Sequence, residues 1–228
     1  MKLPRRRYWL PFALLLAFLA IARFDLHYHL IGWWRGDVYF RGMPTSYWRD
    51  AAVYRVHGPP KWLDVLHRIL RFRPFDDSSR YAIFTGDPKS ADVMSQLLND
   101  QSLDPAVREC LIVEITGRGN ASEEMAAVVR PSFHDDNDRI KLYAAYYLLD
   151  SETDSVLALQ HLLEIYRTWA RDPSPLGRRN AALHISSIAY GHRQLDRRPF
   201  LAILHLLEQD SDGRVREAAT QAVENLTK

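Results

Sequence analysis

Two His-x-x-Glu pairs are the residues of this sequence whose types and spacing best suit metal chemistry. They are His161 with Glu164 and His205 with Glu208, and each pair lies in a segment of helical pattern. An i, i+3 spacing places both side chains on one helical face, as in the carboxylate metal sites of helix bundles. Both pairs, however, occupy the same position in successive predicted helices. A motif that recurs with a structural unit is more simply a polar surface feature, so we predict no metal and no catalytic residue here.

Aspartates cluster at two places in the chain, 135–138 and 210–212. A calcium loop would need further oxygen ligands at alternating positions and a distal glutamate. Here a helical pattern begins directly after the aspartates instead. We therefore interpret Asp135, Asp136 and Asp138, like Asp210 and Asp212, as residues that cap helix starts. The sequence also contains no nucleophile elbow and no glycine-rich phosphate loop, since Thr116-Gly-Arg-Gly-Asn is a glycine-capped helix end.

The helices that would position such residues are predicted most clearly from the segment Asp210 to Leu226. Asp212 can cap a helix start, and apolar residues then recur at helical spacing. A helix with such a stripe cannot bury it alone, so it requires similar units stacked beside it. The predicted buried residues are Val215, Ala218, Ala219, Ala222, Val223 and Leu226.

Three earlier segments repeat this pattern. The first copy, Asp104-Pro-Ala-Val-Arg-Glu, matches Asp212-Gly-Arg-Val-Arg-Glu of the final segment. In the next copy, Asp138-Arg-Ile-Lys, Ile140 aligns with Val215. In the third, Gly177-Arg-Arg-Asn-Ala-Ala, Arg179 aligns with Arg216. The equivalent positions 107, 140, 178 and 215 are 33, 38 and 37 residues apart. An amphipathic helix is predicted before each copy. The first of these helices starts after Gly86-Asp87-Pro88, and the other three cover Ser122–Val129, Ser155–Ala170 and Arg197–Glu208. A degenerate first pair is predicted over Pro60–Phe72 and Asp76–Phe84.

This series resembles the HEAT repeats of the armadillo-like family over roughly residues 60–228. The resemblance implies an all-α fold, an α-solenoid of about five helical pairs, whose repeat pattern encodes packing and capping. Iron-binding HEAT hydroxylases carry paired His-Glu dipeptides, which this sequence lacks. A Tyr-x-x-Gly-x-Pro-x-x-x-Trp pattern over residues 39–48 resembles the lead-in of some exported bacterial HEAT proteins.

The amino-terminal residues 1–31 have the pattern of a signal anchor. Lys2 and three arginines precede the apolar run Tyr8–Ala22. Fifteen residues at about 1.5 Å each span about 22 Å, short of the ~30 Å hydrocarbon core, so flanking residues would have to help. The favoured interpretation is a single-pass anchor in a bacterial cytoplasmic membrane, with the repeats outside the cytoplasm. The alternative is export with cleavage after Ala20-Ile21-Ala22.

Residues 32–59 form a lead-in rich in aromatic side chains and turn formers. We expect a short extended piece followed by a helix capped at Thr45 or Ser46. The aromatic residues either line a cleft or, as we favour, cover the open end of the solenoid. They include Trp33, Trp34, Tyr39, Phe40, Tyr47 and Trp48.

Charge and cysteine content limit the possible partners. Residues 1–80 carry a net charge of +8 and residues 81–228 a net charge of −6. An acidic repeat region argues against nucleic-acid partners, including those of HEAT-type DNA glycosylases, because duplex binding needs basic residues gathered on one face. Trp169 is instead expected to pack at the end of a long helix. Cys110, the single cysteine, excludes an intrachain disulfide and is predicted to be a buried thiol.

These patterns predict a non-catalytic, membrane-anchored scaffold or adaptor that binds an unidentified protein or peptide and needs no cofactor. The alternatives are a purely structural spacer and a metal- or tetrapyrrole-handling enzyme like the bilin lyases, which would use His161, His205 and Glu164. In HEAT proteins the second helices usually line the binding side. The opposite interpretation is that the tyrosines are core residues and the arginines pair with caps in adjacent repeats. The predicted face comprises Lys141, Tyr143, Tyr146, Tyr147, Arg179, His184, Arg214 and Arg216.

Overall fold

The computed structural model describes residues 26–58, 87–116, 122–151, 153–192 and 195–227. These ranges contain ten α-helices and one two-stranded hairpin, which confirms a mostly helical fold. Residues 1–25, with the basic cluster and the apolar run, lie outside them, as do the degenerate first helical pair and the predicted glycine cap after Thr116. No helix within the described ranges is long and apolar enough to cross a bilayer. The chain forms two compact units that meet in sequence at Glu114 and Ile115.

The first unit opens with a helix, a hairpin and a second helix. They are α1 (Leu26–Arg35), β1 (Tyr39–Phe40), β2 (Met43–Pro44) and α2 (Thr45–His57). The strands are antiparallel, with Tyr39 opposite Pro44. Arg41 and Gly42, which join them, both have positive φ angles of 50° and 77°. This is the backbone that a two-residue hairpin turn requires, because its twist matches that of the flanking strands.

The cap of α2 differs from the prediction. Thr45 and Ser46 are the first two residues of the helix, and Pro44 at the cap position offers no side-chain acceptor. The carboxylate of Asp37 accepts the Ser46 backbone N–H instead, at 2.8 Å. The Thr45 hydroxyl is directed to Oε1 of Gln96, 2.6 Å away. Asp37 therefore caps α2 from the loop before the hairpin.

The aromatic residues of the lead-in divide into two sets. Phe40, Tyr47 and Trp48 are buried, and the Trp48 indole N–H lies 3.2 Å from the carbonyl oxygens of both Phe40 and Met43. This set is part of the core of the first unit. Trp33 and Trp34 are instead 81% and 83% exposed.

The first unit continues with α3 (Ala91–Asn99), which follows a 3₁₀ turn at Pro88–Ser90, and with α4 (Pro105–Thr116), which crosses the boundary between the units. Polar contacts tie α2 to this pair. Arg49 lies 3.2 Å from Asp100, His57 lies 3.1 Å from Asp104, and Arg55 pairs with Glu114. The core of the pair includes Val93, Met94, Leu97, Val107, Leu111 and Ile112.

Cys110 on α4 is only half-buried, so the prediction of a buried thiol is wrong. Burial nevertheless raises its pKa, although a hydrogen bond from Arg55 acts in the opposite direction. Arg55 lies between the thiol and Glu114. Cys110 therefore takes part, through Arg55, in the polar contacts between α2 and α4.

The described residues of the second unit form six helices besides the end of α4. They are α5 (Glu123–Val129), which continues into a 3₁₀ turn at Arg130–His134, α6 (Asp138–Leu148), α7 (Ser155–Trp169), α8 (Pro175–Gly191), α9 (Arg198–Leu207) and α10 (Gly213–Thr227). Helix α6 packs on α7, α9 packs on α10, and the most extensive helix packing joins α8 to α10. The predicted stripe of α10 is confirmed, since five of its six residues are buried and Val223 is half-buried.

Four second helices start with the same capping contact. A side-chain oxygen of Asp104, Asn137, Ser174 or Asp212 accepts the backbone N–H two residues further on, at 2.8, 2.9, 3.3 and 2.8 Å. Asp212 was predicted to cap, and Asp104 occupies the equivalent position in the first copy. In the third copy the cap is Asn137 rather than Asp138, which is the first residue of α6 and pairs with Lys141 at 3.0 Å.

In the fourth copy the cap is Ser174, and this shifts the predicted register by one residue. Gly177 now stands opposite Val215, and Arg178, not Arg179, stands opposite Arg216. A Cβ on Gly177 would lie 2.5 Å from the Asp172 side chain, so a valine cannot occupy this place without displacing the loop. The aligned capping residues 104, 137, 174 and 212 are 33, 37 and 38 residues apart.

The corrected register is supported by a shared arginine contact. Nη1 of Arg178 donates to the carbonyl oxygens of Asp172 and Pro173, at 2.8 and 3.0 Å. Nη1 of Arg216 donates to the equivalent carbonyls, those of Asp210 and Ser211, at 2.8 and 2.9 Å. Each arginine thus holds the turn that precedes its own helix.

Candidate functional site

Three of the predicted face residues, Tyr143, Tyr146 and His184, come together where α6 meets α8. The Tyr146 hydroxyl lies 2.7 Å from the Tyr166 hydroxyl, and 3.3 Å from both Nδ1 and the carbonyl oxygen of His184. The Tyr143 ring is 6.2 Å from the Tyr146 ring, and the Trp169 ring is 5.6 Å from the His184 ring. We call this cluster of Tyr143, Tyr146, Tyr166, Trp169 and His184 the aromatic junction.

The hydrogen bonds of the aromatic junction form a short chain. Tyr166 is fully buried, and within the described ranges its hydroxyl has one hydrogen-bond partner, the hydroxyl of Tyr146. If Tyr166 donates to Tyr146, then Tyr146 can donate in turn to the His184 carbonyl, and both protons are used. Burial raises the pKa of both phenols well above the usual value. The two tyrosines are therefore neutral hydrogen-bonding groups and offer no general base near pH 7.

His184 and Trp169 form the outer part of the aromatic junction. Both side chains are partly exposed, and Trp169 ends α7, as predicted from the sequence. Burial lowers the pKa of His184, and the positive charge of Arg139 acts in the same direction. The imidazole is consequently held in its neutral form beside an edge of the indole ring.

Three other predicted face residues have structural contacts. Tyr147 is buried, and burial raises the pKa of its phenol to about 12, although a hydrogen bond from the Ser122 backbone acts against this. Lys141 pairs with Asp138, and Arg216 holds the turn before α10. These contacts fit the interpretation in which such residues stabilise the repeats.

One arginine contact between neighbouring repeats is made by Arg178. Its Nε and Nη2 donate to the two carboxylate oxygens of Asp210, at 2.6 and 3.0 Å, so the pair is bidentate. The hydrogen bond from Arg178 holds the pKa of Asp210 below its usual value. The same carboxylate accepts the backbone N–H of Asp212, the cap of α10. One arginine thus links α8 to the loop before α10.

Arg179 and Arg214 are predicted face residues whose side chains have no polar partner in the part of the chain that the structure describes. Both are exposed, and neither side chain forms a hydrogen bond or ion pair with any residue in the described ranges. Sequence reasoning missed two neighbours of Arg179 on α8. Leu176 and Leu183 are both exposed, and they lie three residues before and four residues after Arg179. This spacing places all three on one helical face, and it is the sequence signal that could have revealed them.

Each second helix of this unit has residues at this spacing of i, i+3 or i+4, and i+7; they are exposed on α8 and α10, whereas on α6 Arg139 is exposed and Tyr143 and Tyr146 are partly buried. We call the three sets together the second-helix surface. It comprises Arg139, Tyr143 and Tyr146 on α6, Leu176, Arg179 and Leu183 on α8, and Arg214, Glu217 and Gln221 on α10. Tyr143 and Tyr146 belong both to this surface and to the aromatic junction.

The two His-x-x-Glu pairs have different surroundings. Nδ1 of His205 lies 2.8 Å from Oε2 of Glu208 on the exposed side of α9. The His161 ring stacks on Phe133 at 4.4 Å, and its burial lowers the pKa of His161 although Glu164 acts in the opposite direction. Among the residues that the structure describes, no group of three or more His, Cys, Asp or Glu side chains is placed to hold a metal ion.

Comparisons with protein-family models, with curated proteins and with solved structures found no match for this chain.

Proposed function

We propose that this protein is a non-catalytic, membrane-anchored adaptor built as an α-solenoid of about five HEAT-type helical pairs, and that it binds a protein or peptide through the second-helix surface. The repeated cap and arginine contacts of the second helices support the repeat architecture. Residues 60–86 would supply the first pair. In such a solenoid each unit contacts its neighbours and leaves one helix of each pair with a continuous outer stripe.

The observation that carries the binding function is Arg179, which is exposed without a side-chain partner in the described ranges and shares one face of α8 with the exposed Leu176 and Leu183. Arg214 on α10 is exposed in the same way. A free guanidinium can bind a carboxylate through two parallel hydrogen bonds. Exposed leucines next to it add apolar contact area, and arginine and tyrosine are enriched at protein interfaces. The expected ligand is therefore a polypeptide segment that presents carboxylates interspersed with apolar side chains.

The location follows from the amino-terminal sequence. The basic cluster before Tyr8–Ala22 favours retention of that end in the cytoplasm. The adaptor would then be held at a bacterial cytoplasmic membrane, with its repeats on the outer side. Cleavage near Ala22 would instead release the same repeats into the extracytoplasmic space.

Site-specific photocrosslinking in living cells tests the binding surface. Photoreactive residues replace Leu176 and Leu183 on α8, and matched exposed aliphatic residues of first helices, Val156 on α7 and Leu206 on α9, serve as controls. We expect a discrete crosslinked protein from the two α8 positions only. Equal products from all four positions, or products from Val156 and Leu206 alone, would contradict the proposal.

A charge reversal tests the chemistry of that surface. Arg179→Glu combined with Arg214→Glu should lower the crosslinking yield at Leu183 by roughly tenfold, because both carboxylate contacts become repulsive. Arg171→Glu is the matched control, since Arg171 is also exposed and has no side-chain partner in the described ranges. An equal loss in the control variant would show that net charge, rather than this surface, governs binding.

A further inference from the structure

Helix α1 presents an apolar stripe to solvent on the side that faces away from the hairpin and α2. Leu26, Leu30, Trp33 and Trp34 are all exposed large side chains. Their spacing of i, i+4, i+7 and i+8 confines them to an arc of about 100° on the helix. We call these four residues the tryptophan stripe. An exposed stripe of this size marks an interaction surface rather than scattered surface residues.

The opposite face of α1 is already fixed to the first unit. A Cβ on Gly32 would lie 2.5 Å from Cβ of Pro44, so the helix backbone lies directly against the hairpin. The Tyr28 hydroxyl donates to Asp50 on α2 at 2.9 Å, and the Tyr39 hydroxyl donates to the His29 carbonyl at 3.3 Å. Helix α1 therefore cannot rotate to bury the stripe without breaking these contacts.

The chain before α1 indicates what covers the stripe. The apolar run ends at Ala22, four residues before Leu26. Four residues reach at most about 14 Å even when fully extended. If the run is embedded in a bilayer, as in the proposed function on which this inference rests, α1 must start at the surface of that bilayer.

We propose that the tryptophan stripe lies in the headgroup region of the membrane, with α1 parallel to the bilayer surface. Tryptophan prefers this region because its ring is apolar and its N–H stays in contact with polar groups. Leu26 and Leu30 extend the contact towards the acyl chains, as in interfacial amphipathic helices. The stripe thus acts as a second membrane contact and sets the orientation of the first unit on the bilayer.

Depth-dependent quenching on the full-length chain tests this proposal. A solvent-sensitive nitrobenzoxadiazole label is placed at Leu30→Cys in a Cys110→Ser background, and the protein is reconstituted into vesicles of phosphatidylethanolamine and phosphatidylglycerol. The same label at Leu183→Cys is the control on the second-helix surface. We expect lipids with a shallow spin label to quench the position 30 label, and aqueous iodide to quench the position 183 label.

Vesicle flotation separates this inference from the anchoring on which it rests. If the chain floats with vesicles but iodide quenches the position 30 label, the anchor stands and the interfacial placement is overturned. If the chain does not float, both fall. Protection from iodide without lipid quenching, together with concentration-dependent dimers, would overturn the proposal in favour of a second copy of the chain on the stripe.

A double variant tests the two indoles directly. Trp33→Ser with Trp34→Ser should reduce lipid quenching at position 30 by about twofold or more, because the strongest interfacial groups are removed. The same substitutions should leave the thermal unfolding midpoint unchanged, since both side chains are exposed. A variant with unchanged lipid quenching would show that the indoles do not hold α1 at the bilayer.

Discussion

Helix α8 is joined to its two neighbouring second helices in different ways. Towards α10 the packing is extensive, and buried alanines on both helices allow a close approach. A bidentate Arg178–Asp210 pair and a 3.0 Å hydrogen bond from Asn225 to Ser186 border this contact. We call it the alanine junction, with Ala181, Ala182, Ala218, Ala219 and Ala222 as its buried small residues. Towards α6, the rings and hydroxyls of the aromatic junction fill the space instead.

The two junctions join second helices by different kinds of contact. In the alanine junction, the buried methyl groups offer no polar atom to a ligand, and its stability depends on close packing together with the Arg178–Asp210 pair and the Asn225–Ser186 hydrogen bond at its border. In the aromatic junction, Tyr146, Tyr166 and His184 depend on directed hydrogen bonds, and Tyr143 and Trp169 remain partly exposed. The aromatic junction therefore combines directed hydrogen bonds with ring surface that is exposed to solvent.

Removal of the central ring should have the largest effect on the aromatic junction. Tyr166→Ala empties a fully buried site and is expected to lower the free energy of unfolding by about 3–5 kcal/mol, as for other large aromatic truncations. The measurement is urea denaturation followed by circular dichroism.

Tyr166→Phe is the matched control, because it keeps the ring and removes one hydrogen bond. Its cost should be only about 1 kcal/mol, since Tyr146 can still donate to the His184 carbonyl. If both variants lost the same amount, the hydroxyl rather than the ring would stabilise the junction.

Overpacking should damage the alanine junction next most strongly. Ala219→Leu adds three carbon atoms at a fully buried position of α10 and is expected to cost about 1–3 kcal/mol. Thr220→Leu, the exposed neighbour, is the control and should change stability by no more than about 0.5 kcal/mol. A tolerated Ala219→Leu would mean that the helices are not held at close distance.

The Arg178–Asp210 pair should give a smaller, acid-sensitive contribution. Because the Arg178 hydrogen bond lowers the pKa of Asp210 in the folded state, this contribution is present above the unfolded pKa of about 3.8 and is lost as pH falls through the lower folded value. Arg178→Gln and Asp210→Asn should each lower the thermal midpoint at pH 7. The double variant should lose less than the sum of the two, since they remove one shared interaction. Additive losses would show that the pair is not coupled.

The alanine junction was largely predictable from sequence, and the aromatic junction only in part. Helical spacing revealed the alanine stripe of α10, because a buried helix face repeats along one segment. Tyr146 and His184 were placed on one face, but Tyr166 was missed, since its contact with Tyr146 depends on how a first helix is oriented against a second. The one-residue shift at Arg178 also escaped prediction, because Gly177 replaces the usual apolar residue to make room for Asp172.

The tryptophan stripe of α1 shows a second limit of what sequence patterns can predict. Six aromatic residues in one lead-in looked equivalent, yet Trp48 and Trp33 have opposite exposures. Trp48 is buried where the hairpin supplies two carbonyl acceptors for its indole N–H. Trp33 is exposed because Gly32 allows the opposite face of α1 to pack against Pro44. Such a division depends on tertiary contacts between segments, and local spacing does not encode them.

Acidification should have the smallest effect on stability. Because His184 lies in the aromatic junction and not in the alanine junction, this effect distinguishes the two. Burial lowers the folded-state pKa of His184, so between that value and the unfolded value of about 6.5 the unfolded chain binds more protons. Stability should therefore fall as pH drops from 7.5 through 6.5, and the loss should be complete below the folded pKa. His161 has a similarly lowered pKa, so a residual slope should remain in His184→Asn and disappear largely in the double variant with His161→Asn. Urea midpoints at pH 7.5 and 5.5 measure this. An undiminished pH slope in His184→Asn would mean that the imidazole is not desolvated in the aromatic junction, and that the junction is more open to water than the alanine junction beside it.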